Sequence, residues 1–597
     1  MGPFSVRVLP FALAFVLPLV ASPLPSSAAI TATSGTASVS PANPGTWTNT
    51  TTGYVGNTAD GAVTVNGGNS VVSDMVYLGY NSGVTGTATI DGAGSSWTGN
   101  NLYIGNGGSG TVTVSGGGAA SISNWCLIGV NGGATGVMNI SGAGTIVSAY
   151  HVSVAAGLNG YSTGTLNVNE GATLYTSSVG GAEGIWIGYG TAQATVDGAG
   201  SSLINRGGGF SVTSSSSATL TIRNGGTVTT QGNGAFIAGD PWGNPPTPSG
   251  LITVDGAGSA LNIVGEQFNV GYYGRGTLVV TRGANVTSAS ATIASLSASS
   301  GVARVDGSGS KWTLSNALAI GSGGTAQVSI TGGGAINSAG SVSINNQSLL
   351  AVDVGHGSTL TVGGGTGTLQ DNGTVRLLAA ADVPAGSKWT PISVETCSGS
   401  GTFQTLGGLW NAGNATFTTS SDTAGTSGSP VALNLASIQR ALVEDTHDGW
   451  EVGASFVAAT SAHNATFTAT AISGATLDAL LAMLPANEHL AGGWSFATTN
   501  YTVSAANPAY LSFNVGPGRA ANTLAVWHFD GSNWAPFAPV DLTDNGSYAS
   551  FTASSFSAYA VSCTPEPSTV ALLGVGVLCS AACIWICKRS SVEENPV

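Results

Sequence analysis

Charge is what this sequence has least of. Only 7% of its 597 residues are Asp, Glu, Lys or Arg, against about 25% in an ordinary soluble domain. That shortage strips out most of the acids, bases and metal ligands from which catalytic centres are built. The 13 Lys and Arg stand against 27 Asp and Glu, a formal charge of −14, which makes nucleic acid and anionic membrane surfaces poor partners. Six cysteines do not supply a disulfide framework for a chain this long, and Cys126, Cys397 and Cys563 are too far apart in sequence for a pairing to be inferred. The six histidines are scattered, and no GxSxG, Walker or HExxH pattern offers a nucleophile, a phosphate cradle or a zinc pair. The sequence therefore predicts no enzyme, no cofactor and no metal site.

What is present is glycine and apolar side chains. There are 91 glycines, 42% of residues are hydrophobic, and 13 Trp and 16 Phe are among them. A chain of that composition can bury a large core, unlike the polar, charged compositions that stay disordered. It also repeats itself. The marker "aromatic or aliphatic, Ile or Val, Gly" stands at Tyr54, Tyr77, Tyr103, Leu127, Trp186, Asn269 and Ala319, with degenerate copies at Val152, Ser211, Phe236, Thr292 and Ser343. The spacing averages ~26 residues, a solenoid period. Within one period, "TATI", "SSW" and "NLYIG" are short alternating segments separated by glycine corners, so each repeat reads as one coil of three strands.

The marker's aliphatic residues form one ladder: Val55, Leu78, Ile104, Ile128, Val154, Ile187, Val212, Ile237, Val270, Ile293, Ile320 and Ile344. Stacked coil on coil, these twelve side chains make a continuous core that no single coil could bury alone. At one strand spacing per coil, twelve coils extend roughly 55 Å. "DGAG"-type corners follow Ile90, Ile140, Val196, Val254 and Val305 in alternate coils, so the true unit reads as a doublet of about 54 residues. Asp91, Asp197, Asp255 and Asp306 head four of these corners, where a carboxylate is expected to accept from a backbone N–H two residues on and hold the turn.

The ends read as addresses. "VLPFALAFVLPLVA" after Arg7, followed by "SSAA", has the form of a secretory signal cleaved near Ala29. Near the other end, Thr569 to Cys587 is an uncharged run followed by Lys588 and Arg589, long enough to span a bilayer with the basic pair on the cytoplasmic side. Pro565-Glu566-Pro567 stands just ahead of it. Cys579, Cys583 and Cys587 share one helical face there, for packing, pairing or lipidation.

The order Pro-Glu-Pro, apolar span, basic pair resembles the PEP-CTERM sorting signal of Gram-negative bacteria. The resemblance covers about 25 residues and implies recognition by an exosortase, a membrane transpeptidase-like enzyme of bacteria that make extracellular polysaccharide. Residues 47–365 resemble the β-strand repeats of exported bacterial surface proteins, including autotransporter passengers. Residues 433–562, with "TLAVWHFDGSNWAPFAPV" and turn signals at "DGSN" and "DNGS", resemble membrane-proximal sandwich modules.

The expectation is an all-β chain: a repetitive parallel β-helix (β-solenoid) followed by a β-sandwich, with a C-terminal transmembrane sorting helix. Its parts are a signal peptide (1–29), solenoid (47–365), cap and linker (366–432), sandwich (433–562), sorting signal (563–590) and a short cytoplasmic tail (591–597). One short helix is expected at "TLDALLAML". The expected role is a structural or adhesive component of the cell surface or extracellular polysaccharide matrix. Its partners would be the exosortase-type enzyme, the inner membrane before processing, and extracellular polysaccharide. The alternative is a carbohydrate-active or carbohydrate-binding β-helix.

Two places remain for chemistry. "VEDTHDGWE" gathers Glu444, Asp445, His447, Asp448 and Glu451, either a solvated loop or oxygen ligands for a cation that match no known loop spacing. The corner after the marker carries Tyr80, Tyr161, Tyr189, Trp242, Tyr272 and Tyr273. These rings either stack on sugars along one face of the solenoid or cover the edge of the core.

Overall fold

Alternation decides the strands. In Thr85–Asp91 the sequence TGTATID buries Gly86, Ala88 and Ile90 and turns its threonines outward, a pattern that fits a pleated, half-buried surface. The next coil repeats it as Ser109–Ser115 and the one after as Thr135–Ser141. Their pairing is parallel and in register, with Val112 between Ala88 and Met138. The computed structural model describes residues 29–563 apart from 179–183, 214–216, 240–247, 354–355, 366, 380–387, 395, 400–401, 408–414, 421–430, 439, 445–450, 457–465, 486–487, 500–501, 506–507, 517–522 and 545–547. Within these residues the chain is nearly all β and forms a solenoid of about 12 turns.

Each coil has three faces. The first is a 15-stranded sheet, parallel throughout except for its first strand, Ile30–Ala32. The second face holds strands such as Ser96–Gly99 and the third those such as Asn101–Ile104. The predicted ladder lies on the third face with its register intact: Val55 pairs with Leu78, Leu78 with Ile104, Ile104 with Ile128, and so on to Ile320 with Ile344. All twelve side chains are buried.

The glycine that closes the marker has a steric reason. Gly105 takes φ +70, and a Cβ there would lie 2.1 Å from the carbonyl oxygen of Thr135 in the next coil. The sharp corner and the close approach both call for glycine. Three degenerate repeats carry alanine there instead, and Ala155, Ala238 and Ala294 keep the positive φ, at roughly 1 kcal/mol each.

The D-G-x-G corners differ from expectation. Their carboxylates reach forward to the next coil. Asp91 accepts from Ser115 Oγ at 2.7 Å, Asp197 from Arg223 Nε and Asn224 Nδ2 at 2.8 and 2.7 Å, and Asp255 from Thr281 Oγ1 at 2.8 Å and from Arg282. Asp306 accepts from Thr331 Oγ1. The hydroxyl that closes each corner reaches back. Ser259 Oγ donates to the Asp255 carbonyl at 2.7 Å and accepts from the Gly225 N–H of the preceding coil at 3.0 Å. Ser201 does the same with Asp197 and Gly171, and Thr145 with Ser141 and Gly117. Ser95, Ser310 and Ser358 accept from Gly68, Gly283 and Gly333. The doublet period read from the sequence is the period of these clips.

Both ends of the stack are closed by antiparallel strands. At the N-terminal end, Ile30–Ala32 and Val39–Ser40 pair antiparallel with the first coil. Trp47 fills the end of the core there, edge-on to Trp97 at 6.0 Å, its indole N–H bonded to Pro41. Parallel pairing continues past residue 365, through Thr374–Ala379, Thr396–Ser398 and Thr402–Gly407. Lys388–Ser393 then pairs antiparallel with Val431–Ile438. Such terminal strands cover backbone edges that would otherwise template further pairing.

Two five-stranded antiparallel sheets follow. Phe513 and Phe551 from one and Trp494, Val526 and Tyr559 from the other share a core, the arrangement of a sandwich. The short helix is Gly474–Leu481, with Leu480 buried. The sandwich touches the solenoid through Tyr510, fully buried against Ala351 and Leu378 on the outer side of the first face. Beside it Asp353, itself fully buried, bonds to His356 Nδ1 at 2.7 Å. Among the described residues no helix is long and apolar enough to cross a membrane. The leader to residue 28, the span from Thr569 to Cys587, and Pro565, Glu566, Pro567, Lys588 and Arg589 lie outside the described residues.

Candidate functional site

Strand alternation that sends the ladder inward sends the preceding residue outward. On the third face this outer row runs Tyr54, Tyr77, Tyr103, Leu127, Ser153, Trp186, Ser211 and Phe236, each paired with the next. The first three rings stack, at 5.5 Å and 16° and then 4.7 Å and 9°. Tyr80 stands edge-on to Tyr54 and Tyr77 at 4.8 and 5.3 Å. Each such contact contributes about 0.5–1.5 kcal/mol. Burial, then neighbouring tyrosines, raise the Tyr77 hydroxyl above its ordinary pKa, and burial, then Asp74, raises that of Tyr103.

After Tyr103 the stack breaks. Leu127 and the small Ser153 stand between two large rings, and the missing bulk leaves a cavity of about 400 Å³ open to solvent. That is the volume of a small-molecule pocket. Its walls are Trp125, His151 and Trp186 from neighbouring strands, with Ala156, Gly157, Leu158 and Tyr189 from the corners beside them. Trp125 pairs directly with His151 across the sheet, following a register shift in the strand Ala119–Ile128. The His151 ring stands perpendicular to Trp186 at 5.3 Å, and Trp186 lies 5.8 Å from Tyr189.

Three features set this cavity apart from the rest of the face. His151 is 6% exposed and its Nδ1 has no hydrogen-bond partner, and the buried indole N–H of Trp186 has none either. Burial pushes the His151 imidazole down to about 4, opposed by a hydrogen bond to the Gly184 backbone, so the ring is neutral near pH 7. Tyr189 takes φ +72, a costly conformation for a bulky side chain.

The expected aromatic residues are dispersed. Tyr189 lines the cavity. Tyr80 belongs to the tyrosine stack, and Tyr161 is 63% exposed. Tyr272 packs edge-on against Phe236 and Tyr273, at 5.3 and 4.8 Å, as a separate patch. Trp242 lies outside the described residues. Reasoning from the corner overlooked Trp125, His151 and Trp186, although period-2 alternation places all three outward. In the acidic cluster, Glu444 pairs with Glu451 across two antiparallel strands, while Asp445, His447 and Asp448 lie outside the described residues. Among the described residues no three His, Cys, Asp or Glu side chains converge as metal ligands would.

These features define a β-solenoid with a partly aromatic outer row and, among the described residues, a cavity within it. Comparison with family models, with curated proteins and with solved structures gives no match.

Proposed function

We propose that this chain is an exported structural or adhesive protein of the cell surface or its polysaccharide matrix, and not an enzyme. The observation that carries the reading is the in-register stack, which presents one elongated face bearing a row of outward aromatic side chains. A repeated surface of this kind suits attachment along a polymer, because every coil adds contact area at fixed geometry. Delivery rests on the sequence: a leader cut near Ala29, then removal of the tail by an exosortase-type enzyme acting at Pro565-Glu566-Pro567, with Lys588 and Arg589 as the cytoplasmic stop.

Fractionation of cells producing the tagged chain, with intact mass of the surface fraction, tests this. The expected species lacks the first ~29 residues and everything from Thr569 onward. Full-length tail in the surface fraction, or unchanged sorting after joint Glu566→Ala and Pro567→Ala replacement, refutes exosortase processing and leaves a membrane tether. The carbohydrate-binding alternative is favoured by one observation, the cavity beside Trp125, His151 and Trp186.

A further inference from the structure

We infer that the cavity between Tyr103 and Trp186 is a binding site for one neutral sugar ring of a polysaccharide, held between Trp125 and Trp186 with hydroxyls directed to His151 Nδ1 and the Trp186 indole N–H. This inference deepens the surface-protein reading by assigning its ligand class and site.

The walls select the ligand. Among the described residues that line the cavity none is Asp, Glu, Lys or Arg, and the histidine is neutral near pH 7. An ionic ligand would leave water for a site that offers it no countercharge. A pyranose ring has apolar C–H faces that lie flat against indole and phenol rings, and its edge carries hydroxyls that both donate and accept. The cavity supplies both complements. Trp125 is 38% exposed at the mouth and Leu158 58% exposed, so apolar surface waits at the entrance. Deeper in, an imidazole nitrogen and an indole N–H lack partners. An unmet polar group of this kind destabilises a folded chain, and hydroxyls bound there would satisfy both. An apolar side chain of a protein partner would cover the rings and leave both groups unmet.

The site also has a reason to be fixed in place. Trp125 pairs with His151 and Ser153 with Trp186 across the parallel sheet, so the spacing of these side chains is that of the strands. Tyr189 is held in the left-handed region beside them, a local cost that persists where surrounding structure imposes it. A polysaccharide running along the third face would place one ring in the gap and its neighbours over the tyrosine stack.

The test is calorimetric titration of the full-length chain with hexasaccharides of glucose, galactose and mannose, beside a uronic acid hexasaccharide and a Leu-Phe-Leu peptide. Saturable binding of at least one neutral hexasaccharide is expected. Trp125→Ala, a change at a partly exposed position, should weaken it about tenfold, and His151→Phe, which keeps the ring and removes the acceptor, about fivefold. Circular dichroism identifies any variant that fails to fold, and Trp125→Ala alone decides if His151→Phe does. The inference is overturned if no neutral hexasaccharide binds, if binding survives Trp125→Ala in a folded chain, or if the uronic acid sugar or the peptide binds more tightly. Loss of sugar binding in a variant that still reaches the cell surface separates this site from the localisation reading. A chain that binds sugar through Trp125 but never leaves the cell refutes only the latter.

Discussion

Replacing Ser259 with alanine cuts two hydrogen bonds with one atom. Its hydroxyl donates to the Asp255 carbonyl at 2.7 Å and accepts from the Gly225 N–H of the preceding coil at 3.0 Å, and the residue is fully buried. A net intramolecular hydrogen bond contributes about 1 kcal/mol, which sets an upper figure of about 2. Gly225 is only half-buried, so water restores part of that loss. The change removes no methyl group and opens no cavity of consequence. The expected destabilisation is therefore about 1–2 kcal/mol. Ser308→Ala is the control. Ser308 is exposed in the corner where other coils carry Ala93, Ala199 and Ala257, and its replacement should fall within about 0.5 kcal/mol of the parent. Denaturant unfolding gives the energies, and amide exchange should show Gly225 opening faster in Ser259→Ala, because coils depend chiefly on their neighbours. Equal unfolding midpoints for the two variants, with unchanged exchange at Gly225, would refute the clip.

Three further outcomes follow from the same contacts. Arg282→Ala should destabilise by on the order of 1–2 kcal/mol, since the half-exposed guanidinium is screened but its loss leaves the buried Asp255 short of a partner. Burial pushes that carboxyl up, yet hydrogen bonds from Arg282 and Thr281 draw it below its ordinary pKa. Its contribution should therefore be present above the unfolded carboxylate range, disappear as acid titration passes the lowered folded value, and shrink in the variant. At the seam with the sandwich, the hydrogen bond to Asp353 holds His356 above its ordinary value against desolvation. The stability it supplies should be complete below the ordinary histidine value of 6.5 and fade as pH rises through the raised folded value; a pH–stability profile unchanged by His356→Gln would contradict this. Cys126 is a free, buried thiol whose pKa burial pushes up to about 12, so alkylation at pH 7 should proceed only on unfolding; prompt labelling of the native chain would show it accessible.

The repetitive part was legible because the ladder speaks in one residue type per coil. Twelve Ile, Val and Leu positions recur after a recognisable marker, and each pairs with the next as its period implies. Where the residue type changes, the pattern is lost although the coil goes on. The partner of Ile344 in the following coil is Asp371, 2% exposed, its carboxyl pushed up by burial. A buried acid on the core ladder looks like the end of a repeat. The cavity was hidden for a different reason. Trp125, His151 and Trp186 belong to three coils of unequal length, and only pairing brings them side by side. The corner aspartates show a third limit, since Asp91 prefers a hydroxyl one coil away to the backbone of its own turn, a choice that local turn chemistry cannot anticipate.

The two kinds of clip give the rod a grain. Junctions closed by Asp197 or Asp255 carry ion pairs to the next coil, while those closed by Ser201, Ser259 or Ser310 rely on a hydroxyl and an amide. Under tension along the stack the two sets yield at different forces, so the protein would tear in paired coils. The length between equivalent clips, Ser201 to Ser259, would release roughly 200 Å of extended chain at each event. Because salt screens the exposed guanidinium of Arg282 far more than a buried serine, ionic strength would tune which junction breaks first. A stack built this way would dissipate tension in increments, with the coils beyond each break still folded.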